Sequence, residues 1–551
     1  MPLGEEFLMP ETNLWGDTVE VGSFCGHPGL VYRDRPTTIM AALRESRRWS
    51  DRPFIRHGAT VVTFAEHEQM VHRFAQYLRS KGVERGDRIG IYASNSPQWV
   101  GMFFAILDIG AIVVPCNGWW SAEEMANACE IASPVIVVTD ERRSERVPGF
   151  VTTLMLPSVD DVFEALDSFP APDGSDTTGE DDPAVILFTA GTTNFPKGAV
   201  LTHRALVANL QTLMVVAKKL PTQITDDNPA SVALVGLPLF HIGAIQLILF
   251  PLMTGSEIVF LEGRFDPKAV LSLIESRKVT MFSGVPTMME RILGHEDLPL
   301  RDVKSLRTVV LGGAPVDDAL LARVKSAFPS TRRGVGQTYG LTEAGGVVST
   351  GVGAEIASHP GSSGRLAPVV EARVDNADSD GNGELLIRSP AGMDGYWGAQ
   401  GDDTIDADGW IRTGDLGHVD ADRFLYITGR AKDVIIRGGE NIAPARVEEV
   451  LRAHPAVREV SVIGLPDSDL GEIVAAVVRL EPGAAPSVSE LGDFAALRLA
   501  HFAVPSRWWM RDEPLPTNDS GKVLKRVLVE QWNAEATAPD GDYSEALPAG
   551  R

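Results

Sequence analysis

Only three cysteines, Cys25, Cys116 and Cys129, occur in 551 residues. So sparse and odd a set builds no disulfide framework. No His and Cys cluster has zinc spacing. A reducing, cytoplasmic setting is the expectation. Positive charge is scarce too: 50 Lys and Arg face 74 Asp and Glu, a net charge of −24. Such a chain repels polyanions on average, which sets nucleic acid aside as a general partner. A local basic pocket for a nucleotide stays compatible with it. Long apolar runs are missing as well. The start, MPLGEEFLMPETN, lacks the basic stretch and apolar run of a secretory signal. The uncharged stretch 228–256 is broken by Pro238, His241 and Pro251. It reads as a buried strand over 231–239 and a buried helix over 242–252, with no transmembrane segment. No Gly-x-Ser-x-Gly elbow occurs, which removes support for a serine hydrolase.

With 44% hydrophobic and 23% charged residues, the chain has an ordinary globular composition. It is too long for one core and predicts several folding units. The first half alternates strands (88–92, 111–115, 135–139, 184–188) with helices such as 98–107. This predicts an α/β fold with mostly parallel sheets. A polar, breaker-rich loop spans 170–182, and a second αβ series runs over 231–311. Strands 371–374 and 384–388 predict a hairpin. From about residue 431 a separate small α+β domain is expected, with a helix over 445–454 and strands over 459–463 and 473–480. The tail after Trp532 is small and polar, and is expected to be mobile.

Two patterns imitate metal sites. His67 and His72 are five residues apart, ~140° around a helix at ~100° per residue, so they share no metal easily. A solvated helix face explains them better. The Asp378-Ser379-Asp380-Gly381-Asn382-Gly383 run opens like a calcium loop, but Ser389 stands where the bidentate Glu is needed. A hairpin turn explains its Asp and Gly content.

The segment 187–200 reads LFTAGTTNFPKGAV. A buried strand feeds a loop of small residues, and Thr202-His203-Arg204-Ala205 starts a helix. Gly191 and Gly198 allow close backbone approach. Thr189, Thr192 and Thr193 offer hydroxyls to phosphate oxygens, and Lys197 offers charge. The Walker pattern is different. The loop closely resembles the TSGTTGxPKG signature of the adenylate-forming superfamily. That superfamily includes acyl-CoA synthetases, peptide-synthetase adenylation domains and firefly luciferase. Further matches follow in the family's order. They are Pro238-Leu239-Phe240-His241, Gly312-Gly313-Ala314-Pro315, Tyr339-Gly340-Leu341-Thr342-Glu343 and Gly409-Trp410-Ile411-Arg412-Thr413-Gly414-Asp415. Then come Gly429-Arg430-Ala431-Lys432-Asp433, the run from Gly438 to Pro444, and Pro516-x-x-x-Ser520-Gly521-Lys522. The resemblance spans about residues 38 to 528 and is nearest to the fatty-acid-type acyl-CoA synthetases.

It implies an acyl-CoA ligase that uses ATP, Mg and CoA to join a hydrophobic carboxylic acid to CoA through an acyl-adenylate. The implied architecture has two α/β subdomains and a small β-barrel-like part in a large N-terminal domain, 1–430. A small mobile α+β domain, 431–551, carries the lysine. Thr189, Thr192, Thr193 and Lys197 would hold the β- and γ-phosphates. Thr342 would contact the α-phosphate, and Glu343 would ligate the metal. Gly313, Ala314 and Pro315 would line the adenine, and Tyr339 would stack on it. Asp415 would bind the ribose hydroxyls, and Arg430 would help hold the nucleotide. Lys522 would bridge the substrate carboxylate and the α-phosphate. Lys432 would be the hinge. Gly438, Gly439 and Glu440 would flank pantetheine, and His241 would gate the tunnel. The segment 240–252 and the region near Gly336 would line a mostly apolar acyl pocket.

The loop departs from the family at Ala190, usually Ser, and at Asn194, usually Gly. Losing a hydrogen bond to a charged group costs ~1.5–3 kcal/mol. A homologue that adenylates weakly and thioesterifies a preformed acyl-adenylate is therefore an alternative reading. So is a ligase that loads a carrier protein. A homodimer also stays open.

Overall fold

The computed structural model describes residues 14–165, 178–189, 196–225, 230–331, 334–379, 381–399, 401–437, 440–467, 470–517, 522–536 and 544–545. The chain divides into two compact units. The larger comprises Met1–Ala372, Ile387–Arg412 and Asp422–Phe424; the smaller comprises Arg373–Leu386, Thr413–Ala421 and Leu425–Arg551.

The larger unit holds two α/β layers. In the first, six strands lie in the order Lys197–Thr202, Pro183–Thr189, Ile112–Pro115, Arg88–Tyr92, Ile136–Thr139, Thr152–Met155. All neighbours are parallel except the first pair. The second layer is a nine-stranded sheet. Its inner strands are Val335–Leu341, Thr308–Gly312, Met281–Gly284, Val232–Val235, Glu257–Phe260 and Pro53–His57, all mutually parallel. Antiparallel strands close both edges. Among the inner strands, Val232–Val235 and Glu257–Phe260 are short, mostly apolar and largely buried, as parallel strands covered by helices are.

Helix Phe64–Ser80 begins at a capping box, in which Thr63 and Glu66 satisfy each other's backbone amides. It packs on helix Pro97–Ile109, where an added Cβ at Gly101 would stand 2.7 Å from the Met70 sulfur. His67 overturns the solvated-face expectation. It is fully buried between the Phe54 and Phe104 rings. The apolar stripe of Met70, Val71 and Phe74 brings it into the core. His72 stays partly exposed and pairs with Glu68.

The uncharged stretch does split into strand and helix. The strand is shorter than expected, Val232–Val235, because Pro238 lacks an amide donor and Asn95 captures the following backbone. The helix is Ile242–Thr254, about 20 Å at 1.5 Å per residue. Among the described residues no helix is long and apolar enough to cross a membrane.

The expected barrel-like part is not a closed barrel. It is an open four-stranded sheet in the order Glu371–Asp375, Gly383–Arg388, Ile411–Val419, Leu425–Arg430. The imitation calcium loop is its turn: Asp378 Oδ1 accepts the Asn382 amide at 2.9 Å.

The remaining sheet of the smaller unit centres on Gly471–Leu480, flanked by Val457–Asp467 and Arg507–Arg511. Its alternation buries both faces. Val474, Ala476 and Val478 meet Val447, Leu451 and Trp508. Ala475 and Val477 meet Trp509, Leu528 and Trp532. Helix Lys525–Ala536 carries the chain past Trp532, and Ser544–Glu545 pairs with Arg507–Arg511.

Candidate active site

Strand Pro183–Thr189 ends at the phosphate-loop motif. Ala190, Gly191, Thr192, Thr193 and Asn194 lie outside the described residues. Beyond them the chain does not go straight into a helix. It first returns as strand Lys197–Thr202, antiparallel to the entry strand, with Lys197 directly opposite Thr189. The run Gly198-Ala199-Val200-Leu201 is buried and too short for a separate reading, so the sequence shows it only as the end of the motif. Thr202 then caps helix His203–Ala217. Thr189 Oγ1 is buried beside the Tyr396 hydroxyl and makes no hydrogen bond of ordinary geometry among the described residues.

Thr342 and Glu343 sit on the tight connection between strands Val335–Leu341 and Gly346–Val352. The Ala344 amide donates to Leu341 O at 3.2 Å and the Gly345 amide to Thr342 O at 2.9 Å. Gly345 has φ +66, and its Cβ would fall 1.6 Å from Ala391 O. Only glycine admits that approach.

The segment 393–397 joins these two parts. On one side it is stitched to the phosphate-loop hairpin. The Val200 amide donates to Gly395 O and the Asp394 amide to Val200 O, each at 2.9 Å, and the Trp397 amide donates to Gly198 O at 2.8 Å. On the other side the Met393 amide donates to Glu343 O at 2.9 Å. Tyr396 is thereby placed between the two. Its hydroxyl donates to Glu343 Oε1 at 2.8 Å, and its ring centre is 4.7 Å from Lys197 Nζ. Burial and the Glu343 carboxylate push the Tyr396 hydroxyl well above the usual phenol range, so it stays a donor. Lys197 Nζ also contacts Asp402 Oδ2 at 2.6 Å. Neither Tyr396 nor Asp402 was singled out from the sequence. Tyr396 lies in a Gly-Tyr-Trp run whose aromatic pair is the one signal pointing to it.

Pro238-Leu239-Phe240-His241 leads into helix Ile242–Thr254. Asn95, also missed from the sequence, fixes the turn by accepting from the Leu239 amide at 3.0 Å and donating to Leu237 O at 2.8 Å. The His241 ring lies 4.5 Å from the Phe240 ring, which meets Trp119 edge-on at 5.2 Å. Burial pushes the imidazole down to about 4, so it is neutral at neutral pH. Helix Ile242–Thr254 offers an almost wholly apolar wall.

Gly312 ends a parallel strand, and Gly313 turns the chain with φ +76. Gly313 and Pro315 are exposed, and Ala314 and Tyr339 are half-buried. At Gly312 a Cβ would meet Thr338 O at 2.8 Å. These residues gather at the carboxyl ends of neighbouring parallel strands, the usual place for a ligand in an open α/β sheet.

In the smaller unit Asp415 and Arg430 face each other across antiparallel strands, with Arg430 Nε 2.7 Å from the buried Asp415 Oδ1. Lys432 lies in a single turn of 3-10 helix, Ala431–Asp433. Glu440 begins strand Glu440–Ile442. Gly438 and Gly439 lie outside the described residues, as do Ser520 and Gly521. Lys522 is described and exposed, just before helix Lys525–Ala536.

The donor set in the larger unit fits a magnesium nucleotide. It comprises one ammonium, a buried hydroxyl, and a carboxylate with a second oxygen beyond the one Tyr396 engages. Among the described residues no cluster of three or more His, Cys, Asp and Glu could hold a metal alone.

Known proteins resemble the chain nearly throughout. The model for AMP-binding enzymes matches residues 43–397, and that for the AMP-binding enzyme C-terminal domain matches residues 446–522. A feruloyl-CoA synthase from an Amycolatopsis species is 35% identical over 491 residues, 88% of this chain and 96% of the relative. The long-chain-fatty-acid–CoA ligase FadD13 of Mycobacterium tuberculosis is 32% identical over 86% of this chain and 93% of its own length. The ATP-bound structure of MatB from Rhodopseudomonas palustris superposes with a TM-score of 0.80 at 28% identity, covering 90% of this chain and 99% of that one.

Proposed function

The chain belongs to the AMP-binding enzyme family, and on that premise we propose how its residues carry out the family's reaction. It is an acid–thiol ligase of the acyl-CoA synthetase type. A carboxylate attacks the α-phosphate of ATP, giving an acyl-adenylate and pyrophosphate, and the CoA thiol then displaces AMP. Two anions must meet in the first step, so positioned positive charge and hydrogen-bond donors matter most.

Lys197, with Thr189, Thr192 and Thr193, binds the β- and γ-phosphates. Glu343 is the carboxylate that would hold magnesium, which supplies neutralisation of the polyphosphate charge. Thr342 contacts the α-phosphate. Gly313, Ala314 and Pro315 form the adenine wall, with Tyr339 stacked on the base. Asp415 accepts from the ribose hydroxyls, and Arg430 orients that carboxylate and helps hold the nucleotide. Lys522 donates to the substrate carboxylate and the α-phosphate as charge shifts between them. Lys432 is the hinge between residues 1–430 and 431–551, Gly438, Gly439 and Glu440 flank the pantetheine arm, and neutral His241 gates the acyl pocket beside it. Tyr396 is a positioning residue that fixes Glu343. The apolar wall of Ile242–Thr254 favours a hydrophobic acid, in keeping with the aromatic and long-chain acids in the names of the relatives.

The observation that carries this reading is the stitching of segment 393–397 to both the Lys197 hairpin and the Glu343 turn. It holds Lys197 and Glu343 on one frame, which supports their roles toward phosphate and metal. The test is a panel of aliphatic and aromatic acids with ATP, Mg and either CoA or a phosphopantetheinyl carrier protein, with AMP and thioester measured separately. AMP and CoA thioester formed in equal amounts support it. Thioester formation on the carrier alone would move the acceptor from CoA to a carrier protein. Pyrophosphate release without CoA decides whether Ala190 and Asn194 impair adenylation. Absence of both AMP and thioester with every acid refutes the ligase reading.

A further inference from the structure

Lys197 is already occupied by an anion belonging to the protein. Its Nζ lies 2.6 Å from Asp402 Oδ2, with side chains 34% and 18% exposed. Exposed ion pairs ordinarily contribute little because both partners are mobile and solvated. Here both ends are fixed. Lys197 sits on a strand opposite Thr189, with its ammonium over the Tyr396 ring. Asp402 Oδ1 accepts the Thr404 amide at 2.9 Å, and Thr404 O accepts the Arg412 amide at 2.8 Å. Burial opposes ionisation of Asp402, but the hydrogen bonds from Lys197 and Thr404 prevail and hold its carboxyl below the usual range. The pair is built by the backbone.

We propose that Asp402 is a resident competitor for the phosphate-loop lysine, one that weakens pyrophosphate binding and so speeds its departure. The inference rests on the ligase reading and extends it to product release. A polyphosphate reaching Lys197 must share the ammonium with a carboxylate or displace it, and the two anions repel each other. Breaking the α–β phosphate bond leaves an additional negative charge on the β-phosphate, so Asp402 repels pyrophosphate more strongly than it repels the same two phosphates within ATP. Once the α–β phosphate bond breaks, Asp402 recovers Lys197 and the leaving group is released.

The test measures Mg–pyrophosphate binding by calorimetry, which requires no carboxylic acid, and the Ki of pyrophosphate against ATP where turnover is measurable. Asp402→Asn removes the charge and keeps an acceptor for the Thr404 amide. The expected result is tightening of pyrophosphate by about tenfold, with a smaller fall in the KM for ATP. Asp402→Glu should restore weak binding. In a Lys197→Met background the Asp402→Asn effect should vanish. Asp402→Ala, which also drops the Thr404 contact, should match Asp402→Asn if charge is the cause. Thermal melting checks that each variant is folded. Unchanged or weaker pyrophosphate binding in folded Asp402→Asn overturns the inference while leaving the ligase reading intact. Tightening in Asp402→Ala alone also overturns it, because loop shape and not charge would then be responsible. Failure of both the wild-type protein and Asp402→Asn to bind pyrophosphate also overturns the inference, while the acid panel tests the ligase reading separately.

Discussion

At Lys522 an ammonium stands on an exposed segment just ahead of a helix, and nothing in its immediate burial marks it as special. Its assignment comes from the Pro516-x-x-x-Ser520-Gly521-Lys522 pattern. The expected consequence is selective. Lys522→Ala should lower acyl-adenylate formation about 10²- to 10³-fold, as removal of one aimed transition-state donor does. Thioester formation from a supplied acyl-adenylate should persist. ATP–pyrophosphate exchange and a single-turnover thioester assay separate the two, and equal losses would refute the role. Glu343 shows the opposite kind of residue. Its motif was legible, but its partner was not. Tyr396 lies 53 positions away, and only the fold brings its hydroxyl to 2.8 Å.

Helix Phe64–Ser80 and the hairpin Val335–Leu341/Gly346–Val352 show how elements constrain single positions. His67 lies within the helix and is pushed down to about 3 by burial. Neither ring nitrogen has a hydrogen-bond partner among the described residues. The folded pKa lies below the ordinary 6.5, so as the pH falls the unfolded chain takes up a proton first. The histidine costs no stability above about pH 6.5 and an increasing amount between 6.5 and 3. His67→Leu should therefore flatten the acid limb of stability. Urea unfolding at pH 7 and pH 4.5 checks this, and an unchanged pH slope would count against it. In the hairpin, a Cβ on Gly340 would fall 1.9 Å from Gly346 O. Backbone cannot yield as a side chain can, so Gly340→Ala should destabilise by about 1–3 kcal/mol and weaken nucleotide binding through the displaced Thr342 and Glu343. A wild-type denaturation midpoint and a wild-type KM for ATP would contradict that.

For the whole molecule, the sequence motifs run in order across both compact units, and the family models cover most of each. If residues 431–433 are the hinge, Lys432→Pro, which fixes φ at that turn, should change the two half-reactions by factors about tenfold or more apart. Equal changes in adenylation and thioester formation would remove the hinge role. The four-stranded sheet is another decision made at this scale. Its strands Glu371–Asp375 and Gly383–Arg388 were visible as a hairpin. Nothing in their alternation shows that they join Ile411–Val419 and Leu425–Arg430 in an open sheet.

The sequence by itself determined the α/β class and the nucleotide motifs, because glycines, hydroxyls and charges at fixed spacing are local requirements of phosphate chemistry; the reaction came from the resemblance those motifs carry to the adenylate-forming superfamily. Its three cysteines are too few and too odd a set for a disulfide framework, and all three are free. Tertiary structure decided what those motifs meet. The return strand Lys197–Thr202, the Asn95 clamp, buried His67, and Tyr396 and Asp402 around Lys197 all depend on pairings between residues distant along the chain. The physical reason is that burial and a hydrogen-bond partner belong to the packed neighbourhood, which sequence spacing does not encode. The loop motif is readable without a fold; that its lysine is held by a carboxylate 205 positions away is not.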